Sequence, residues 1–274
     1  MALTIGRRKR ETVREIRYEV TDRVAVLTID RPDKRGAMTY AMLDEFAAGV
    51  ARADADPDVA VLLVTGVPGS FCSGIDLADL ATRPAEERGR PDGDGDGGAG
   101  GGVPLLMGCP KPVIAAVDGM AVGMGAEFAT QADLRVVSTR ARFRWNFVHR
   151  GLVSDTGAGT WLLPRQIGVA HALRLLYTGA DLTADEALTL GFATAVVPPE
   201  DLPRTALDLA AAIAAASPFA LTRTKRLVLD GGGADLPAHV QATRTAMSEC
   251  FASADHAEGV AAFLERRPPR FTGR

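Results

Sequence analysis

The chain has 274 residues and a net charge of −3, and its 47% hydrophobic and 24% charged residues are ordinary proportions for a folded globular protein. This length allows one large domain or a domain with an appendage, and the small negative charge gives no reason to expect binding to nucleic acid or to a membrane. The sequence shows no signal peptide or bilayer-spanning run, and its three cysteines lack the spacing of a metal site, so a reduced, cytoplasmic location is expected.

The first half of the chain repeats a pattern of strand, strand and helix. A basic cluster at residues 7–10, interpreted as an exposed terminus, precedes alternating segments at 16–20 and 24–29 that predict a strand pair. Residues 40–53 have helical spacing. Buried-strand runs recur at 59–65 and 112–117, so the sequence predicts a stack of β-β-α turns.

The chain after residue 82 differs in composition. Residues 83–103, rich in Gly and Asp, have almost no side chain to bury and predict a mobile loop; the Asp-Gly run resembles a calcium loop but lacks the bidentate glutamate of an EF-hand. A capped short helix at 183–191 and a strand at 193–197 follow, and then helices at 202–216, 218–229 and 237–253. We therefore divide the chain into a core at 1–200 and a helical region at 201–274.

The most informative segment is residues 119–129. Gly123 and Gly125 allow a tight turn between a buried strand and a helix, and Glu127 follows in the first helical turn. Backbone N–H groups at a helix start have no intrahelical partner and can face an anion. Amide donors beside a carboxylate suit proton transfer next to a developing oxyanion, although Glu127 alone could equally be a partner of the helix dipole.

A second segment, residues 71–77, follows another buried strand and a Gly/Pro turn. Together with 30–32, 119–133, 151–165, 179–191 and 270–274, it gives the chain the landmarks of a known family. The sequence resembles the crotonase (enoyl-CoA hydratase/isomerase) superfamily along nearly its whole length. The resemblance implies an α/β fold, a crotonase-like spiral of β-β-α units with a helical C-terminal region, and an acyl-CoA thioester as substrate.

The resemblance also implies site residues. The thioester oxygen would lie between the backbone N–H groups of Ile75 and Met124. Because the donors belong to the backbone, the side chains of these two residues can be apolar. Ser73, Gly74 and Gly123 belong to the same turns and are expected to contact the substrate. Glu127 occupies the position of one catalytic glutamate of the family's hydratases.

At the second catalytic position the chain departs from the hydratase pattern. Phe147 stands where the hydratases carry another glutamate, and a phenyl ring cannot activate water or carry a proton; it is expected to line the acyl pocket or the core. Asp155 stands where some family isomerases and dehalogenases have an aspartate, so it is the second catalytic candidate. Ser154 or Asp155 could instead cap the following helix.

The CoA moiety is expected to meet a cationic loop. Lys34 and Arg35 occupy the loop with which the family grips the nucleotide, although either could be a solvated loop residue, and Gly36 replaces a common asparagine. Asp76 belongs to the expected substrate-binding segment, and its carboxylate is interpreted as a cap or an ion-pair partner near the turn.

The predicted function is proton transfer on an unsaturated acyl-CoA, as in fatty-acid metabolism, through an oxyanion-stabilised thioester enolate. The absent glutamate favours double-bond isomerisation; the alternative is a hydratase that adds water to a 2-enoyl-CoA. A non-catalytic CoA-ester or RNA-binding protein on the same fold is the alternative of another class. No metal is expected, and no cofactor apart from the CoA of the substrate. The resemblance implies a homotrimer or homohexamer, with the helices after residue 201 as the assembly surface.

Overall fold

The computed structural model describes residues 15–84, 105–154 and 156–274. The basic cluster at 7–10, most of the Gly/Asp-rich segment and Asp155 lie outside these ranges.

Within these ranges the chain forms ten strands and ten α-helices. The strands are β1 (Ile16–Thr21), β2 (Val24–Ile29), β3 (Val61–Gly66), β4 (Ser70–Cys72), β5 (Val113–Val117), β6 (Met120–Val122), β7 (Leu134–Ser138), β8 (Arg142–Arg144), β9 (Leu182–Thr183) and β10 (Ala195–Val197). The helices are α1 (Tyr40–Ala55), α2 (Leu77–Thr82), α3 (Met124–Gln131), α4 (Leu163–Ile167), α5 (Val169–Thr178), α6 (Ala184–Thr189), α7 (Leu202–Ala214), α8 (Pro218–Gly231), α9 (Leu236–Phe251) and α10 (Ala254–Glu265).

The strands form two sheets that the chain visits alternately. One sheet has the order β1-β2-β3-β5-β7-β10, and the other has the order β4-β6-β8-β9. Each of the pairs β3–β4, β5–β6 and β7–β8 crosses from the first sheet to the second, and strands from successive turns pair in parallel. This arrangement is a spiral of β-β-α turns, and it confirms the predicted fold class.

The sequence explains why α3 is buried inside the spiral. All five residues of β5 are buried, as its uninterrupted apolar run predicts, and all eight residues of α3 are buried beneath the second sheet. The Phe128 ring on α3 stacks on Phe46 of α1, with ring centroids 4.8 Å apart. A helix buried on every face is held in one position, which suits a helix that carries a functional side chain.

The C-terminal helices differ from the prediction in one place. The sequence predicts a helix over 237–253, whereas the structure ends α9 at Phe251 and begins α10 at Ala254. Ser253 explains the break because its hydroxyl accepts a hydrogen bond from His256 N, 3.0 Å away, and so caps a new helix. The helix over 254–265 was therefore not foreseen.

The helical region also packs on the core of the same chain. The side chains of α7, which include Leu202, Ala206 and Ala210, pack on the outer face of the first sheet. On α8, Lys225 is almost fully buried, and its Nζ lies 2.9 Å from Asp133 Oδ2 at the start of β7. In the part of the chain that is described, no single helix is long and apolar enough to cross a membrane; the α7–α8 pair, bent by 104°, meets that criterion only by length and composition.

Candidate active site

The turn between β6 and α3 places Glu127. Gly123 has φ 55° and ψ −118°, a conformation that is open to glycine and strained for other residues, and α3 begins at the next residue. The Glu127 N–H donates to Gly123 O at 3.0 Å, so the carboxylate stands on the first turn of the helix. Its side chain is fully buried. Burial of a carboxylate is costly unless hydrogen bonds hold it, so this position calls for dedicated partners.

Gly125 brings the start of α3 against the end of β4. A Cβ on Gly125 would collide with the backbone carbonyl of Cys72 and would lie 2.8 Å from its Cβ. The absence of a side chain therefore lets two segments that are distant in sequence meet backbone to backbone. Burial raises the pKa of the Cys72 thiol to about 12, so this thiol stays neutral beside the site.

The backbone around Ile75 turns its amide toward the same place. Met38 pairs with the peptide groups that flank Ile75: Met38 N donates to Gly74 O at 2.9 Å, and Asp76 N donates to Met38 O at 2.8 Å. In such a parallel bridge the N–H of the central residue points away from the partner. A Cβ on Gly74 would lie 2.9 Å from Val122 O and 3.7 Å from Met124 N, so the two turns are in contact.

The N–H groups of Ile75 and Met124 form what we call the amide pair. Among the described residues, neither group donates a hydrogen bond to the protein. Two such donors on adjoining turns, one of them at a helix N-terminus, are suited to hold a developing negative charge. The structure thus brings together the turns of Ser73, Gly74 and Gly123 that the sequence singled out.

The Glu127 carboxylate is held by residues that the sequence analysis did not name. Thr156 Oγ1 donates a short hydrogen bond to Glu127 Oε2, and Gly159 N donates to the same oxygen at 3.1 Å. Behind Thr156, the Gln131 side chain donates to its hydroxyl at 3.3 Å. Leu106 N in turn donates to Gln131 Oε1 at 2.9 Å. In the sequence, the Gly-Ala-Gly run at 157–159 marks a turn here, but it does not indicate which side chain bonds Glu127.

Phe147 lies beside the glycine turn. It begins a 3₁₀ turn over Phe147–Arg150 and is buried, and its Cζ lies 3.9 Å from the position that a Cβ on Gly123 would take. The Asn146 side-chain oxygen lies 3.8 Å from the same point, a polar neighbour that the sequence analysis missed. Trp145, by contrast, is fully buried against Phe143 and Phe192. Phe147 therefore lies against the glycine turn at Gly123, whereas Trp145 is a core residue.

Asp155 itself is not described, but both of its neighbours approach Glu127. A Cβ on Gly159 would collide with Glu127 Oε1 and would lie 2.6 Å from Ser154 Oγ. Ser154 is buried, and its hydroxyl has no hydrogen-bond partner among the described residues. Side chains on both sides of Asp155 thus lie near the carboxylate, while the role of Asp155 stays a prediction.

The loop that carries Lys34 and Arg35 lies along the segment that contains Ser73 and Ile75. Ser73 N donates to Arg35 O at 3.1 Å, and Ser73 Oγ donates to Lys34 O at 3.3 Å. Gly36 has φ 69°, and its Cβ would lie 2.8 Å from Phe71 O, which explains a glycine in place of asparagine. Lys34 and Arg35 are exposed, and neither forms an ion pair with any residue that the structure describes.

Asp76 has a local structural role. Its carboxylate accepts from Ala78 N at 2.9 Å, which caps α2, and it pairs with Arg31 at 2.9 Å. The hydrogen bond from Ala78 N and that from Arg31 hold the Asp76 pKa below its ordinary value. Because its carboxylate is already bonded to Ala78 N and Arg31, a contact of Asp76 with substrate would involve its backbone or a carboxylate that keeps these partners. In the described ranges, no cluster of three His, Cys, Asp or Glu side chains could hold a metal ion.

Comparisons with known proteins agree with this geometry. The family model for enoyl-CoA hydratase/isomerase matches residues 19–274. A Rhodobacter capsulatus protein named "Probable enoyl-CoA hydratase" is 38% identical over 264 residues, covering 94% of this chain and 98% of the relative. The 1,2-epoxyphenylacetyl-CoA isomerase of Escherichia coli is 35% identical over 254 residues, covering 92% and 95% of the two chains.

The fold is shared with solved structures. The crystal structure of enoyl-CoA hydratase EchA1 from Mycobacterium marinum superposes with a TM-score of 0.85 at 34% identity, covering 95% of this chain and 99% of that one. The sequence match spans almost the whole chain, and the fold agrees with it. The chain therefore belongs to the enoyl-CoA hydratase/isomerase family of enzymes.

Proposed function

We propose that the protein moves protons on an unsaturated acyl-CoA through a thioester enolate, and that its reaction is double-bond isomerisation. In this proposal the amide pair of Ile75 and Met124 binds the thioester oxygen. Each such donor is worth about 3 kcal/mol of barrier when it meets full negative charge. Glu127 takes the proton from carbon, since it is the carboxylate on the helix that also supplies one of the two amides.

The burial of Phe147 carries the preference for isomerisation. Its ring lies against Gly123, next to one amide of the pair, at the position where the hydratase pattern has a second glutamate. Hydration needs a group that activates water on the side of the acyl chain facing that position, and a phenyl ring excludes water instead. Isomerisation needs no added water, so a hydrocarbon wall is compatible with it.

Asp155 completes the proposal as the second proton-transfer group, on the opposite side of the acyl chain from Glu127. The burial of Ser154 and the contact of Thr156 with Glu127 support a location close to the site. Lys34 and Arg35 would bind the CoA phosphates, because they are exposed cations in the loop beside Ser73.

Hydration is the second candidate, and the relatives favour it. Besides the Rhodobacter capsulatus protein, the short-chain-enoyl-CoA hydratase of Clostridium acetobutylicum is 33% identical over 250 residues. In a hydratase on this site, Glu127 would act with a water held by Asp155.

We also propose that the protein is a homotrimer or homohexamer assembled through its C-terminal helices. On α10, Phe263 is 82% exposed and Leu264 is 74% exposed, and α9 buries none of its residues. Large apolar side chains side by side on a surface are typical of an interface between subunits.

Incubation with 2-enoyl- and 3-enoyl-CoA esters in D₂O, analysed by mass spectrometry, separates the two reactions. We expect migration of the double bond with deuterium on carbon and no added oxygen. Glu127→Gln and Asp155→Asn should abolish this exchange, whereas Asp208→Asn, on an exposed face of α7, should not change it.

Each other result has a defined meaning. Addition of one heavy-water equivalent would make the protein a hydratase and would show that Phe147 does not prevent water chemistry. Full activity of Asp155→Asn would remove Asp155 from the mechanism. An absence of reaction with every ester would contradict the proposed function.

A further inference from the structure

The two oxygens of the Glu127 carboxylate have different surroundings. Oε2 accepts two hydrogen bonds, one from Thr156 Oγ1 and one from Gly159 N at 3.1 Å. A Cβ on Gly159 would collide with Oε1 and with Ser154 Oγ, so these two oxygens lie on the same side of Gly159. A carboxylate in such a setting does not present its two oxygens equally to a substrate.

The direction of the Thr156 hydrogen bond follows from the other partners of its hydroxyl. A threonine hydroxyl has one proton and two acceptor lone pairs. Gln131 Nε2 and Ala158 N both donate to Thr156 Oγ1, each at 3.3 Å. Both lone pairs are thus occupied by donors, and the proton is left for Glu127 Oε2. An oxygen that accepts from both Thr156 and Gly159 has no place for a proton of its own.

The backbone fixes this arrangement. Gly157 has φ 79° and begins a π-helical turn over Ala158–Leu162, and this turn directs Gly159 N at the carboxylate. Such turns are rare and often occur at functional sites. The Gln131 side chain is itself held by a hydrogen bond from Leu106 N to its Oε1. The two hydrogen bonds to Oε2 therefore come from one segment, and Gln131 and Leu106 support that segment from two other parts of the chain.

We propose that Glu127 takes up and returns its proton through Oε1 alone, and that Thr156 is the positioning residue that keeps Oε2 as a permanent acceptor. This inference rests on the proposed function. As the C–H bond of the acyl chain breaks, its electron pair enters the enolate held by the amide pair, and the proton forms an O–H bond with Oε1. That bond breaks again when Oε1 gives up the proton, to carbon in the reverse reaction or to solvent before the next turnover.

Few other titratable groups face this carboxylate from the described residues. Among the elements packed against α3, β5, β6 and the π-helical turn have none, and β4 contributes the neutral thiol of Cys72. Arg135, on β7, directs its guanidinium at the carbonyls of Ala129 and Ala132 in the last turn of α3. On α1 and α4, the charged residues closest in sequence to those that contact α3 are exposed. They are Asp44, Glu45 and Arg165. Asp155, which precedes Thr156, is outside the description.

The test compares Thr156→Val, which keeps the shape and removes the hydroxyl, with Thr156→Ser, which keeps the hydroxyl. Thr160→Val is the matched control, because Thr160 is exposed and, among the described residues, its hydroxyl donates to Gly157 O and not to Glu127. The titration of Glu127 is followed by 13C NMR of labelled glutamate, with its signal assigned by its loss in Glu127→Gln. The pH dependence of kcat/KM is measured with a 3-enoyl-CoA ester.

Loss of a donor to the ionised carboxylate favours its protonated form. In Thr156→Val the midpoint of the Glu127 titration should rise by about one pH unit, and the acidic limb of kcat/KM should move up with it. Activity at low pH should fall about tenfold as a result. Thr156→Ser and Thr160→Val should titrate like the unaltered protein.

Two outcomes separate this inference from the proposed function. If the protein turns over enoyl-CoA esters but Thr156→Val leaves both midpoints unchanged, Thr156 does not position the carboxylate and the inference is wrong. If no ester reacts, the proposed function fails, while the NMR titration still decides whether Thr156 holds Oε2. Circular dichroism must show that Thr156→Val is folded. Titration of Thr156→Ser like the unaltered protein excludes a general effect of altering this position.

Discussion

The helices α3 and α9 use apolar residues in opposite ways. All eight residues of α3 are buried, including Glu127, whereas none of the sixteen residues of α9 is buried. The first helix is fixed by packing on every face, and such packing leaves little room for movement. The second has an apolar surface that the chain itself does not cover. Within one chain, the site is thus built where burial is complete, and the surface suited to assembly lies where it is not.

Glu127→Gln should have the largest effect on activity. The amide keeps the shape of the side chain but cannot take a proton from carbon, so we expect turnover to fall by a factor on the order of 10³. Affinity for the CoA ester, measured by calorimetry, should stay unchanged. Glu45→Gln, on the exposed face of α1, is the control for loss of a carboxylate. Turnover within a factor of a few of the unaltered protein would remove Glu127 from the chemistry.

Gly125→Ala should have the largest effect on stability. Its new Cβ would overlap the Cys72 carbonyl, and both backbones are buried, so the first turn of α3 would have to move. We expect the free energy of unfolding to fall by about 3 kcal/mol, as measured by urea denaturation. Gly233→Ala is the matched control, since nothing lies within 4 Å of its Cβ position. Equal stability of the two variants would show that α3 tolerates displacement.

Phe263→Ser together with Leu264→Ser should change assembly more than folding. Both side chains are exposed in the single chain, so their loss should leave its circular dichroism spectrum unchanged. In an oligomer each buried side chain contributes about 2 kcal/mol per subunit, and the mass measured by light scattering should fall toward that of a monomer. Val20→Thr, on the exposed side of β1, is the control. An unchanged mass would place the interface elsewhere or show that the protein is monomeric.

The same contrast explains what could be predicted from the sequence. The glycine turns at Gly74, Gly123 and Gly125 could be identified because glycine at such points reflects backbone geometry, and the fold class followed from the family resemblance that these turns help to carry. The helix predicted over 237–253 ends at Ser253, but the helix over 254–265 was missed because its start depends on one capping hydroxyl. The Thr156–Gln131 contact to Glu127 was also missed. It joins residues 25 positions apart and depends on a π-helical turn, which leaves no periodic signal.

The smallest effect should come from Glu258, which ties the C-terminal tail to α10. Its carboxylate accepts from Arg267 Nη1 at 2.6 Å and from Arg270 N at 2.6 Å. The hydrogen bond from Arg267, with that from Arg270 N, lowers the Glu258 pKa from its ordinary 4.5 to about 2.

Because the folded state keeps Glu258 ionised where the unfolded chain binds a proton, this pairing stabilises the fold above pH 4.5 and is lost as the pH falls toward 2. Glu258→Gln should therefore lose less stability than the unaltered protein between about pH 5 and about pH 3 in urea unfolding, while Glu45→Gln should follow the unaltered protein. The effect is small because the pair is partly exposed to solvent, which weakens its charges. An equal loss in all three proteins would mean that packing, as in α3, and not this ion pair, holds the tail.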